Sequence, residues 1–384
     1  MLSRFPFPTE KGDKLRAYHQ LQELAQYWEI HLICLTEHTV SNTQQEKIKP
    51  FVKSLHIYHL NRFLILWNVF LQFFGNKPFQ VGYFYQKRIH QKVKLLLEDI
   101  KPNHIYTQLI RTTEYVKNYH DCKKTLDYMD TLSAGMKRRV ATEPFYKKWF
   151  FKAEWKRLAR YENLVFDYFD IHTIISEQDR DLIAHPSRAK IIVIPNGVDK
   201  QYFDRTIDRP TPEFDIVFTG NLSYPPNVEA VKFIATKLKP EALKQGLNLK
   251  ILISGANPSA EILKFSNEVE ITGWVEDIRD SYAKGKLFVA PMFIGSGLQN
   301  KLLEAMAMKL PCITTPLANN ALGASSSEIC LAETPEEFIQ WISMLLNDQQ
   351  FSLNLAENGC RFVQQHFDWQ QTTAKLSHKM LSTI

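Results

Sequence analysis

The segment FVAPMFIGSGLQNKLLEAMAMKLPCITT, residues 288–315, decides the architecture of the second half of the chain. Its apolar run stops at Pro291, glycines at 295 and 297 open a tight turn, and a run of good helix formers follows (Lys301, Leu302, Leu303, Glu304, Ala305, Met306, Ala307). Pro311 then ends the helix before a strand at Cys312–Thr314, which completes one βαβ step. The free N–H groups and the dipole at such a helix start favour phosphate. Gly295 and Gly297 let a ligand approach the backbone, and Ser296, Leu298, Gln299 and Asn300 line the same turn. Glu304 lies one turn further on, where a carboxylate accepts bonds from ribose hydroxyls but repels phosphate. The combination fits a nucleoside diphosphate, although any βα unit has a glycine turn and many carry a Glu on the helix.

Outward from this segment, short β-branched runs alternate with helical patterns along the whole chain, the rhythm of parallel sheets. Strands are expected at Ile30–Leu35, Leu55–Leu60, His104–Tyr106, Thr125–Tyr128, Thr173–Ile175 and Ile191–Ile194 in the first half. The second half offers Asp215–Thr219, Leu249–Ile253, Val269–Ile271, Leu287–Ala290 and Cys312–Thr314. Periodicity lapses over residues 194–215, where Pro, Asp and Gly collect, so a joint is placed near Pro195. The expected organisation is an α/β domain at 1–195, a second at 196–366, and a C-terminal helix within 367–384 packing back on the first. Two doubly wound domains imply a cleft lined by the carboxyl ends of their strands, where ligands of such sheets bind.

The 384 residues, 45% of them hydrophobic and 23% charged, suffice for two real cores and exclude disorder as the main state. Five scattered cysteines with no CxxC pair argue against a disulfide framework or a zinc site and for a reduced, cytoplasmic protein. The net charge of +6 is uneven: residues 1–195 hold 30 Lys and Arg against 20 Asp and Glu, the remainder 17 against 21. Residues 51–160 concentrate the excess, 21 against 8, which points to an anionic partner on one side. The most apolar stretch, FLILWNVFLQFF at 63–74, is too short to span a bilayer; it could lie in a membrane interface, though a buried helix is the commoner explanation. In residues 143–166, Phe151, Trp155, Leu158 and Val165 form a core stripe, while Phe145, Trp149, Lys152, Lys156 and Arg160 mix aromatic and basic groups as membrane-surface helices do, or form a solvated basic face with incidental aromatics. Nucleic acid is disfavoured because no recognition motif accompanies the charge, and a nicotinamide dehydrogenase because no GxGxxG opens either half.

Two segments of the first half carry candidate chemistry. PTEKGDKLR, residues 8–16, is a Gly12 turn opening a helix, with Lys11, Lys14 and Arg16 nearby; it also fits an ordinary helix start. In LDYMD, residues 126–130, a strand ends in Asp127 and Asp130, suited to orienting a hydroxyl or accepting its proton, or to capping the helix that follows.

The 288–315 segment resembles the C-terminal signature of the retaining glycosyltransferases of family 4, the group 1 family, whose helix typically reads K-x-L-E-A-M-A before a Pro and a strand. IPNGVD (194–199), VFTGNLSYPPNVEAV (217–231), LISGANP (252–258) and ITGWVEDIRDSYAKGKLFVAPM (271–292) resemble further family segments in order and spacing. RFPFPTEKGDKLRAYHQLQELA (4–25) and LDYMDTLSAGMKRR (126–139) look most like bacterial sugar transferases of exopolysaccharide and exosortase loci.

The resemblance implies the GT-B fold, with an acceptor domain first and a nucleotide-sugar domain second. It implies a retaining hexosyltransferase that needs no metal or cofactor. Such an enzyme would act on a polysaccharide or lipid-linked acceptor, in the cytoplasm or on the inner face of an anionic membrane. It assigns the donor to Gly12, Gly220, the 254 turn (Ser254, then Gly255), Gly295, Ser296, Gly297, Leu298, Asn300 and Glu304. Arg16 would clamp an oxyanion, Lys301 would assist the leaving diphosphate, and Asp130, supported by Asp127, would serve the acceptor hydroxyl. Two departures bear on catalysis: Ser296 stands where many members have a Glu, and NLSYPPN follows Gly220 where many have an Arg and a Lys, leaving Lys301 as the replacement cation. A non-catalytic donor-binding scaffold and a nucleotide-sugar epimerase are the rival readings.

Overall fold

The computed structural model describes residues 1–142, 144–204, 211–295 and 297–382, in two units: Met1–Pro195 with Trp369–Ile384, and Asn196–Asp368.

In the first unit, β1 (His31–Thr36) pairs in parallel with β2 (Ser54–His59). A four-stranded parallel sheet runs in the order β3 (His104–Gln108), β4 (Lys123–Asp127), β5 (Ile171–Ile174) and β6 (Ile192–Val193). Two residues join the sheets: Leu2 N donates to Ile33 O at 2.8 Å, Leu35 N donates to Leu2 O at 3.1 Å, and Gln108 N donates to Met1 O at 3.1 Å. With Leu2 in the place of a first strand, the spatial order is 3-2-1-4-5-6-7, that of a doubly wound sheet. The helix Trp369–Leu381 packs on Gly12–Leu24, where the Trp369 ring stacks on His19 at 5.0 Å. Trp28 Nε1 donates to Ser377 Oγ at 2.9 Å, so the end of the chain completes this unit.

The second unit has one parallel sheet: β7 (Phe214–Thr219), β8 (Ile251–Ser254), β9 (Glu270–Ile271), β10 (Gly285–Ala290), β11 (Cys312–Thr314) and β12 (Cys330–Leu331). Their spatial order, β9-β8-β7-β10-β11-β12, is again 3-2-1-4-5-6 counted along the chain. Sequence reasoning did not find β12, two residues long. The order of winding reverses between β7 and β10, where ligands of such sheets bind at the carboxyl ends. Phe218, Phe288, Leu302, Leu303 and Phe338 are wholly buried on the sheet, each stabilising the fold by about 1.5–3 kcal/mol.

The structure corrects the commoner of the two readings of residues 63–74, a buried helix. They do form a helix, Arg62–Gln72, capped by Asn61 Oδ1 on the N–H groups of Phe63 and Leu64, yet only Ile65 is buried and Phe63 is 83% exposed. Apolar spacing identifies a common helix face but not what that face meets. Here the inner side is narrow, made of Ile65, Asn68 and Val69. In the helix Phe145–Phe166 the expected inner stripe is buried at Phe151, Leu158 and Val165. Trp155 is only half-buried, with the Lys137 ammonium 5.3 Å over its ring.

Candidate functional site

At the carboxyl end of the second unit's sheet, the turns after β7 and β8 touch. Gly220 N donates to Ser254 O at 3.0 Å, and a Cβ on Gly255 would stand 1.8 Å from Gly220 O, so only glycine fits there. Ser254 itself is fully buried and its hydroxyl is shared with Thr272 (2.9 Å) and Ser281 (2.6 Å). This corrects the assignment at position 254: the side chain serves the sheet end, and Gly255 makes the close approach. Beside these turns, the helix Pro225–Phe233 starts after β7 with proline in its first turn, and Asn300–Ala307 starts after β10.

The two helices meet through Lys301. Its Nζ donates to Asn227 Oδ1, contacts Met292 Sδ at 3.7 Å and lies 4.8 Å over the Phe218 ring. Asn227 Nδ2 donates in turn to Asn221 O at 2.8 Å. Burial lowers the ammonium to about 7, with the Glu304 charge opposing. One turn along, Glu304 Oε2 accepts from Tyr282 Oη at 2.8 Å, and Tyr282 Oη accepts from Thr219 Oγ1 at 2.7 Å. Burial pushes Glu304 up to about 7, against the Tyr282 hydrogen bond and the Lys301 charge. Both groups therefore change charge near neutrality, the range in which a site responds to an arriving anion.

The turn before this helix is placed as the sequence suggests. Gly295 adopts φ +94°, Gly297 borders open space, Leu298 packs on the core, and Asn300 Oδ1 accepts from Asn196 Nδ2 at 3.3 Å. Ser296 lies outside the described residues.

The first unit brings Arg16 and Asp127 together and in doing so corrects their expected roles. Arg16 Nε donates to Asp127 Oδ2 at 2.6 Å and an Nη to Oδ1 at 3.3 Å, both side chains having no exposed surface. Asp127 also accepts from Tyr106 Oη (2.8 Å) and Thr173 Oγ1 (2.9 Å). Burial disfavours its charge, but the guanidinium overrides this and holds the carboxyl below its ordinary range. A buried two-pronged pair ties the helix after Gly12 to the end of β4; it presents neither a clamp for an oxyanion nor a base for a hydroxyl. Gly12 borders open space, and next to it Asp13 pairs with Arg4 at 2.6 Å.

Asp130 follows a left-handed residue, Met129 at φ +63°, and is accessible. Crowding by the protein raises its carboxyl to about 6, aided by Asp179 and opposed by Arg111 and Arg138. Sequence reasoning missed Asn227, Tyr282, Tyr106 and Arg111. The first two lie inside motifs already quoted, but their partners are 74 and 22 residues away.

Residues 213–348, most of the second unit, match the family model described as Glycosyl transferases group 1. A protein of Klebsiella pneumoniae described as an uncharacterized 44.6 kDa protein in the cps region is 23% identical, with 94% of each chain covered. Among solved structures, sucrose-phosphate synthase from Thermosynechococcus elongatus superposes with a TM-score of 0.68 at 13% identity, covering 99% of this chain and 97% of its own. Anabaena HepE in complex with UDP-glucose gives 0.66 at 13% identity, with 100% and 98% covered. These likenesses show the fold, which is GT-B.

Proposed function

We propose that the chain is a retaining family 4 glycosyltransferase that moves a hexosyl unit from a nucleoside-diphosphate sugar to a polysaccharide or lipid-linked acceptor of the cell surface. The observation that carries this reading is Lys301 and Glu304, one helical turn apart where the second unit's sheet reverses its winding, each held by a neutral partner and titrating near 7. An arriving diphosphate would draw a proton onto Lys301 and lie against the helix start at Asn300. Ribose hydroxyls would donate to Glu304, with Gly220, Gly255, Gly295 and Gly297 allowing close approach. The bond from the anomeric carbon to the diphosphate breaks, the leaving oxygen's charge being stabilised by Lys301 and the helix start. The acceptor oxygen bonds to the same face of that carbon, and its proton passes to Asp130, which at neutral pH is ionised and able to take it. UDP and UDP-glucose in the HepE complexes support a nucleoside-diphosphate donor.

The helix start and Lys301 supply the positive charge that other transferases draw from a divalent ion, so neither metal nor cofactor belongs to this reading. In the division of labour proposed, the second unit takes the donor and the first the acceptor. The test is titration of UDP into the full chain in excess chelator, with Glu304→Ala beside wild type. Binding that weakens about tenfold in the variant supports the ribose role, as loss of a charged hydrogen-bond partner costs about 1.5 kcal/mol. Unchanged affinity removes it. Ser296 and the uncharged NLSYPPN turn favour one second reading, a donor-binding protein without transfer. Turnover of labelled donor only in the presence of acceptor would exclude it.

A further inference from the structure

Two helices of the first unit turn aromatic faces to solvent beside one another. On Arg62–Gln72 and the turn after it, Phe63, Leu66, Trp67, Phe70 and Phe74 fall at i, i+3, i+4, i+7 and i+11, and all are exposed. The first turns of Phe145–Phe166 expose Phe145, at 86%, with Tyr146 and Trp149. The faces are held together: Phe73 meets Trp149 at 6.4 Å between ring centroids, and Phe79 stacks on Phe150 at 5.0 Å. Glu154 accepts from the N–H groups of Phe79 (2.7 Å) and Gln80 (3.0 Å), and Arg157 donates to Gln72 O. Contiguous exposed aromatics of this extent mark an interaction surface.

The exposed charge on the two helices has one sign, while of the flanking lysines Lys53, Lys77 and Lys94 pair with Glu29, Glu114 and Glu98. From Phe51 to Leu97 the chain has seven Lys and Arg and no Asp or Glu. Between residues 144 and 166 the carboxylates are Glu154 and Glu162, both buried and both accepting from backbone N–H groups. Lys148, Lys152, Lys156 and Arg160 recur every four residues, exposed, and none has a carboxylate partner among the described residues. A second copy docking by the same face would bring these cations against their equivalents, which disfavours self-association. Aromatic rings with a row of lysines at their edge match instead the apolar and phosphate layers of an anionic bilayer.

We propose that this face is a docking surface for an anionic lipid bilayer, the rings of both helices entering the headgroup region and the Lys148–Lys152–Lys156 row lying on lipid phosphates. Among the described residues no helix is long and apolar enough to cross a membrane, so the contact is lateral. The proposal goes beyond the transfer chemistry and does not rest on it.

Sedimentation of the full chain with vesicles of phosphatidylcholine, with and without phosphatidylglycerol, tests it at low and high salt. Wild type should sediment with the anionic vesicles alone, and less so as salt screens the lysines. The pair Trp67→Ser and Phe70→Ser on one helix, and the triple Lys148→Gln, Lys152→Gln and Lys156→Gln on the other, should each lower partitioning at least about tenfold. UDP titration and circular dichroism should stay unchanged in both, since every substituted side chain is exposed. Absence of sedimentation, equal sedimentation with neutral vesicles, or a wild-type dimer in light scattering that the aromatic pair abolishes would each overturn the assignment.

Discussion

The strand ends of the two units handle charge in opposite ways. After β4, Arg16 and Asp127 cancel one another in a closed network with Tyr106 and Thr173, and the carboxyl is held below its ordinary range. After β7 and β10, Lys301 and Glu304 are given neutral partners, Asn227 and Tyr282, and both shift to about 7. A satisfied pair fixes geometry and has nothing left to offer a ligand; a cation and a carboxyl kept near their titration points answer to what arrives. The first arrangement belongs to the scaffold, and the proposed function assigns the second to the site.

The largest expected effect breaks the closed pair. Asp127→Ala leaves the Arg16 guanidinium buried and uncompensated, and should lower unfolding free energy by about 3–5 kcal/mol in a denaturant titration. A loss below about 1 kcal/mol would mean that the network is not structural. Asp130, by contrast, stands outside that network, so Asp130→Asn should slow sugar transfer by about 10²–10⁴-fold while leaving the melting temperature and UDP affinity near wild type. Transfer at the wild-type rate would remove it from catalysis.

Next in size, the open pair should show its cost to the unliganded fold. Raised Glu304 stabilises most below its unfolded value of 4.5 and loses that contribution as pH rises to about 7. Lowered Lys301 costs most below about 7, and the cost is relieved between 7 and 10.5. The pair's contribution to stability is thus lowest near pH 7, and the double variant Lys301→Met, Glu304→Gln should flatten that dip in thermal melts. A dip that persists would place its origin elsewhere.

Much of this was legible in the sequence. Strand Cys312–Thr314 lies where the alternation puts it, and the others are displaced by only a residue or two, because parallel strands buried on both faces read as short apolar runs. Lys301 and Glu304 were legible because helix start, glycine turn and carboxylate fall within one segment. Arg16 and Asp127 were both singled out, but that they neutralise each other across 111 residues is a property of topology that local pattern does not carry. The exposed helix Arg62–Gln72 failed for a related reason, since its stripe is correctly periodic and its orientation is set by a narrow inner side that only packing reveals.

The central claim is that the poised pair binds a nucleoside diphosphate, Lys301 taking the phosphates and Glu304 the ribose. Its most direct test is calorimetric titration of UDP into the full chain between pH 6.5 and 8.5, in buffers of different ionisation enthalpy, with Lys301→Met alongside. Because Lys301 titrates near 7 when unliganded, the account predicts proton uptake on binding above that pH. Affinity should fall about tenfold per pH unit, and the methionine variant should lose both binding and its pH dependence. UDP affinity that is independent of pH, with no proton taken up and no loss in Lys301→Met, would contradict it.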